Sequence, residues 1–322
     1  MNLKTQEALS LFAANTQAIK RGYIWRDNIS RRLSALLYAQ KNAPINVGAI
    51  HQCYKLIKQN TGIFSMFRRN MAMCVATLLS LSENPQEVFS KTLEVYALLK
   101  EAKFRESDFL VMAAYQIAVG AEDYSNTISR AKAFYDDMKA HHRFYTGRDD
   151  YIFAAMLGLS DLDIAAGAAR IEELYLRLKG EFADKNSVQT LVQILVLGGN
   201  SEDTAIRVLE LRDALKAQKL RLDRTYILPI LGILALLPVD ISTLVQDLKE
   251  AKAFLRKQKG FGRLSVASDE LLLFGAAIIA EEYASHINND ILTAMLSTSI
   301  ASIIIAQEAA AVSASSSAAS SS

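Results

Sequence analysis

Two histidines followed by two aspartates, His141-His142 and Asp149-Asp150, are the residues whose types and spacing best suit a metal ion. Two imidazoles and two carboxylates would hold zinc or a harder cation. Adjacent residues of a helix point about 100° apart, so the two imidazoles do not converge on one ion. The string reads instead as a polar helix end, with Asp149 or Asp150 capping the helix that follows. Asp161-Leu162-Asp163, with Gly167 and Glu172, is the next candidate. A calcium loop needs a ligand at its fifth position and glycine at its sixth. Those places hold Ala165 and Ala166, so the string predicts a tight turn with Asp163 at or near a helix start. Carboxylate pairs such as Asp136-Asp137 and Glu281-Glu282 read as solvated faces. No phosphate-cradling glycine loop, serine nucleophile elbow or paired zinc-ligand motif occurs. No catalytic, cofactor-binding or metal-binding residue is therefore assigned, and no cofactor is expected.

The remaining chemistry is cationic. Residues 1–70 hold eleven Lys and Arg against two Asp and Glu, a balance of +9, while the rest of the chain carries −7. Lys20, Arg21, Arg26, Arg31 and Arg32 surround Tyr23 and Trp25, and Arg68 and Arg69 follow. Arginines mixed with aromatics can hold phosphates and stack bases. No nucleic-acid module is visible, and a pI of about 8.4 is mild for such a protein. Arg21, Trp25, Arg26, Arg31, Arg32, Arg68 and Arg69 are the candidate contacts for an acidic partner, on a basic face of the first helices. The competing account is internal: acidic residues of later segments fold back and neutralise that face.

The elements that must carry these residues are helices. Only 14 Gly and 4 Pro occur in 322 residues. A sandwich or barrel needs a turn every ~8–12 residues, and turns draw on both. A short apolar helix recurs, at 71–79, 109–115, 151–157, 188–195, 226–231 and 271–277. Its near-uniform apolarity means burial on most sides. After most copies comes an amphipathic helix ending in a cation and then a large apolar residue: Phe104, Phe144, Phe182, Leu220 and Phe261. Cations in a last turn favour the negative end of the helix dipole. The terminal apolar residue folds back and seals the seam, so these five are expected at equivalent buried sites. In Glu87–Lys103 the apolar stripe is Phe89, Leu93, Tyr96 and Leu99. Asn84-Pro85-Gln86-Glu87 supplies a cap, a proline at the first helical position and an early glutamate.

These patterns predict an all-α helical repeat, an α-α superhelix or solenoid of stacked antiparallel helix pairs, about forty residues per repeat. Residues 1–66 are expected to form an N-terminal helical cap. Residues 67–312 form the repeat region, continuous with the cap in a single domain, and 313–322 are a low-complexity Ala/Ser tail. The uncharged segment 291–306 is shorter than the ~20 residues of a spanning helix and is diluted by Ser and Thr, so a packed terminal helix is expected. Cys53 and Cys74 sit in apolar helical contexts and read as reduced core residues. With no readable signal peptide, they point to the cytoplasm.

Several strings resemble an uncharacterised bacterial family, domain-of-unknown-function family 4003. They are 20–25 (KRGYIW), 61–68 (TGIFSMFR), 104–107 (FRES), 142–150 (HRFYTGRDD) and 303–310 (IIIAQEAA). The resemblance covers nearly the whole chain and implies a bacterial protein. It brings no activity, cofactor or site residue.

Function therefore rests on architecture. Stacked helix pairs form long surfaces that hold peptides or partner proteins. The expectation is a non-catalytic scaffold binding a protein or peptide, with no role for nucleic acid or membrane. The alternatives are an enzyme with a site in the helical groove, or binding of nucleic acid or an anionic surface through the basic N-terminal helices.

Overall fold

In the structure, a computed structural model, the residues described are 1–22, 28–199, 203–224 and 227–284. All regular elements among them are helical. In chain order they are α1 (Leu3–Gly22), α2 (Asn28–Gln40), α3 (Val47–Asn60), a 3-10 turn (Met66–Arg68), α4 (Ala72–Ser80), α5 (Pro85–Glu101), α6 (Asp108–Gly120) and α7 (Tyr124–His141). There follow α8 (Tyr151–Leu159), α9 (Ile164–Leu178), α10 (Lys185–Leu197), α11 (Thr204–Ala217), α12 (Leu228–Leu236), α13 (Ile241–Lys257) and α14 (Ser268–Ala284). The chain is an all-α helical repeat: the six apolar copies are α4, α6, α8, α10, α12 and α14, each mostly buried, and amphipathic helices alternate with them. The segment 291–306 and the tail lie outside the described residues.

Local chemistry places the boundaries. The Asn84 carboxamide accepts from the Glu87 amide at 3.3 Å, Pro85 opens α5, and Glu87 pairs with Lys91 at 2.6 Å. Asp163 accepts from the Ala166 amide at 2.9 Å and starts α9. Ser107 and Asp123 do the same for α6 and α7. Gly199, at φ 114°, ends α10, a left-handed angle that glycine adopts at no steric cost. Asn84→Ala is expected to lower stability by about 1 kcal/mol in denaturant unfolding, the usual worth of a cap. An unchanged midpoint would show that Pro85 alone sets the start of α5.

The residues fall into two compact units. One comprises 28–34 and 46–169; the other comprises 1–22, 35–45 and 170–284. The first sixty residues are thus shared between them. In the first unit, α3 packs on α4, α5 on α6, and α7 on α8, with α6 beside α8. The tightest packing therefore joins each amphipathic helix to the apolar helix that follows it, across the link that carries the large apolar residue. Phe104 sits in such a seam, its ring 5.7 Å from Tyr135 and 4.9 Å from Tyr151. Phe67 fills the same place one repeat earlier, 5.6 Å from Phe89 and 5.1 Å from Tyr96.

In the second unit, α12 lies against α10, α11 and α14, and α1 lies against α13 and α14. Phe12 of α1 closes the Phe261 seam, 5.4 Å from Phe261 and 5.0 Å from Phe274. The Gln17 side chain donates to the Lys259 carbonyl at 2.6 Å.

Four of the five expected seam residues are buried: Phe104, Phe182, Leu220 and Phe261. Phe144 is not; it is 93 % exposed. The cause is local. Lys103 and Lys219 adopt left-handed φ of 68° and 57°, which turns the chain back so that Phe104 and Leu220 donate their amides to Leu99 and Leu215. Gly260, at φ 86°, stands in the same place before Phe261. No left-handed residue precedes Phe144 or the buried Phe182; the two differ in that the Phe144 link runs on to Asp150, while Phe182 stands just before α10. Thr146 takes the interior place instead, buried and donating its hydroxyl to the Met138 carbonyl at 3.1 Å.

Candidate functional site

Two surfaces of the unit built from 28–34 and 46–169 are equipped for contact. The first is the edge formed by three consecutive links, 61–71, 102–107 and 142–150. Short-range polar bonds tie them into one structure. Asn70 Nδ2 donates to Asp108 Oδ2 at 3.0 Å, Arg148 Nη1 to the Glu106 carbonyl at 3.4 Å, and the Arg105 amide to the Tyr151 hydroxyl at 3.2 Å. Arg68 anchors the first link: it donates to the Lys58 and Thr61 carbonyls and, at 3.1 Å, to the Thr61 hydroxyl. Asp150 anchors the third by accepting from the Gly147 amide at 2.8 Å. It stands at the start of α8, as expected, but its carboxylate holds the link rather than the helix end.

From this edge project large apolar side chains that no seam receives. Ile63 is 73 % exposed and Phe64 83 %, both in the first link, and Phe144 stands out from the third. The charges beside them are mostly positive. Over 58–71, 100–108 and 139–150 there are eight exposed cations and two exposed carboxylates, Glu101 and Glu106. Glu106 is engaged by Lys100 at 2.5 Å. Burial raises the Asp108 carboxyl above its ordinary range, with Asn70 and the Arg69 charge opposing.

The second surface is a groove between α5 and α7, of ≈ 540 Å³. Its floor is made of Leu98, Ala102, Ile128 and Ala133; Glu101, Lys132 and Asp136 stand at the rim. Small residues make the groove: Ala102, Ser125, Ser129 and Ala133 leave the two helices without a filling side chain where they face each other.

The candidate arginines separate. Arg68 and Arg69 belong to the link edge. Arg31 and Arg32 are only 8 % and 6 % exposed, and Arg31 donates to the Asn28 side chain. Neither lines an exposed basic face, which corrects that expectation: they lie on the part of α2 that turns inward with Leu33 and Leu36. Trp25, Arg26 and the side chain of Arg21 lie outside the described residues. His141 and His142 have ring centroids 6.4 Å apart, and His141 Nδ1 stands 3.0 Å from the Asp137 carbonyl. Among the described residues no three His, Cys, Asp or Glu side chains converge as metal ligands, and no helix is long and apolar enough to cross a membrane.

The family of unknown function DUF4003 matches residues 15–309. The chain belongs to that family. No curated protein and no solved structure matches it. For this DUF4003 member, then, the link edge and the groove carry the functional argument. The sequence did not disclose Ile63 and Phe64 as surface residues. The available signal was Thr61-Gly62 directly before them, since such a turn delays the next seam residue until Phe67.

Proposed function

We propose that the chain is a non-catalytic scaffold that holds a peptide segment of a partner protein in the groove between α5 and α7. The observation that carries this reading is the groove itself: an apolar floor of Leu98, Ala102, Ile128 and Ala133 beneath a charged rim. Such a groove suits an amphipathic helix, whose apolar stripe meets the floor while its polar face stays wet. Glu101 and Asp136 against Lys132 favour a segment with basic residues flanking its stripe, although Lys132 already pairs with Asp136. The absence of a recognisable nucleophile or acid–base motif in the sequence favours binding over catalysis. Bacterial origin, suggested by the family resemblance, and a cytoplasmic location, suggested by buried reduced Cys53 and Cys74, fit the same reading.

The test is site-specific photocrosslinking in the native cell. A photoreactive residue replacing Ser129, at the groove, is expected to yield one discrete protein adduct. The same residue replacing exposed Ser10 of α1 is expected to yield none. No adduct at Ser129, or equal adducts at both positions, would end the reading.

A further inference from the structure

The link edge is a separate surface from the groove, and its chemistry points elsewhere. Ile63, Phe64 and Phe144 cover no core, and a solvated Phe ring forgoes the burial that makes it useful inside. They stand on tips, so they suit insertion into a soft medium better than capture of a ligand. The cations flank them: Arg69, Lys103, Arg105, Arg143 and Arg148 are all exposed. Of the carboxylates of the same links, Asp150 is buried against the Gly147 amide, and Glu106, though exposed, is paired with Lys100. The bonds from Asn70 to Asp108 and from Arg148 to the Glu106 carbonyl fix the links to one another. Both apolar tips are therefore held with the intervening cations on one edge.

We infer that this edge docks on the surface of an anionic lipid bilayer, with Phe64 and Phe144 entering the headgroup–acyl boundary and the arginines meeting lipid phosphates. Aromatic rings are favoured at that boundary, and each cation near an anionic leaflet adds attraction that salt screens. Charge complementarity commits the occupant. A neutral membrane would leave the cations without a counter-charge, and a soluble polyanion would leave the rings in water. The docking needs no membrane-spanning segment, since only side chains enter the bilayer.

Co-sedimentation of the full chain with vesicles tests this. Binding to vesicles of equal parts phosphatidylglycerol and phosphatidylcholine is expected at low salt, with loss at high salt and none to phosphatidylcholine alone. Phe64→Ser and Phe144→Ser are each expected to weaken partitioning about tenfold, the scale of burying one aromatic ring. Arg143→Glu should weaken it while steepening nothing in the unfolding curve. All three sites are exposed, so the folded chain is preserved and an unchanged Tm confirms that loss of binding is not loss of structure. Failure to bind the anionic vesicles, or binding indifferent to both Phe substitutions, would overturn the proposal. So would equal binding to heparin that competes the vesicles away regardless of Phe64 and Phe144. None of these outcomes bears on crosslinking at Ser129, so the two readings stand or fall separately.

Discussion

Phe104→Ala is expected to destabilise the protein by about 3–5 kcal/mol, whereas Phe144→Ala, the same change at the same place in the next repeat, is expected to fall within about 0.5 kcal/mol of the parent. Phe104 is buried between Tyr135 and Tyr151, whose own rings are 5.0 Å apart. Truncating it opens a cavity bounded by two aromatic faces and by the α7 and α8 backbones, which cannot close without moving both helices. Burial holds the Tyr135 hydroxyl above its ordinary ionisation range. Phe144 has nothing to lose, since its ring already stands in water. Urea unfolding of the two variants side by side reads the contrast. Equal losses would place Phe144 in a seam after all, and equal indifference would deny that the Phe104 seam supports the stack.

Arg130→Met and Arg207→Met are each expected to cost about 2–4 kcal/mol, because each removes the side-chain donor from three backbone carbonyls; among the described residues, only that of Leu237 has a backbone donor beside it. The Arg130 guanidinium donates to the carbonyls of Gly158 at 3.2 Å and Ser160 at 2.8 Å, and to that of Leu162. Arg207 repeats the arrangement on Ala235 at 2.8 Å, Leu237 at 2.9 Å and Val239. In both cases the acceptors lie 28, 30 and 32 residues downstream. In these two links a planar fork of donors from the preceding amphipathic helix serves the carbonyls, with the Val239 amide also donating to Leu237 at 2.8 Å. Lysine in either place should restore little, since one ammonium cannot span three acceptors. If Arg130→Met and Arg130→Lys both kept the parental unfolding midpoint, water would be serving those carbonyls and the fork would be incidental.

These two features differ in how far the sequence disclosed them. The alternation of apolar and amphipathic helices was legible because burial on all sides excludes charge from whole segments, as in Tyr151–Leu159 and Leu228–Leu236. The seam residues were legible wherever the link is short. The exception at Phe144 arises from its longer link to α8; Phe182 is buried with no left-handed residue before it, while Lys103 and Lys219 are left-handed without being glycine. The clamp is present in the sequence as Arg130 and Arg207, with Arg170 at repeat spacing between them. It went unread because its partners are carbonyls, which have no sequence signature. Arg170 also pairs with Glu173 at 2.6 Å. The carbonyls at the corresponding distances from it belong to Gly198, Asn200 and Glu202, of which the last two lie outside the described residues. The groove was equally invisible, because it is made by what Ala102 and Ala133 lack. Charge count gives no warning that Arg31 and Arg32 are buried, nor that Arg68 is engaged by the Lys58 and Thr61 carbonyls.

The scaffold reading is tested most directly by calorimetric titration of the full chain with the segment crosslinked at Ser129, comparing the parent with Ala133→Arg. An arginine side chain at Ala133 would fill the groove that the segment must occupy, so affinity is expected to fall at least about tenfold while the segment is recovered chemically unchanged. Undiminished affinity in Ala133→Arg would contradict the groove, and a covalently altered segment would contradict the non-catalytic reading.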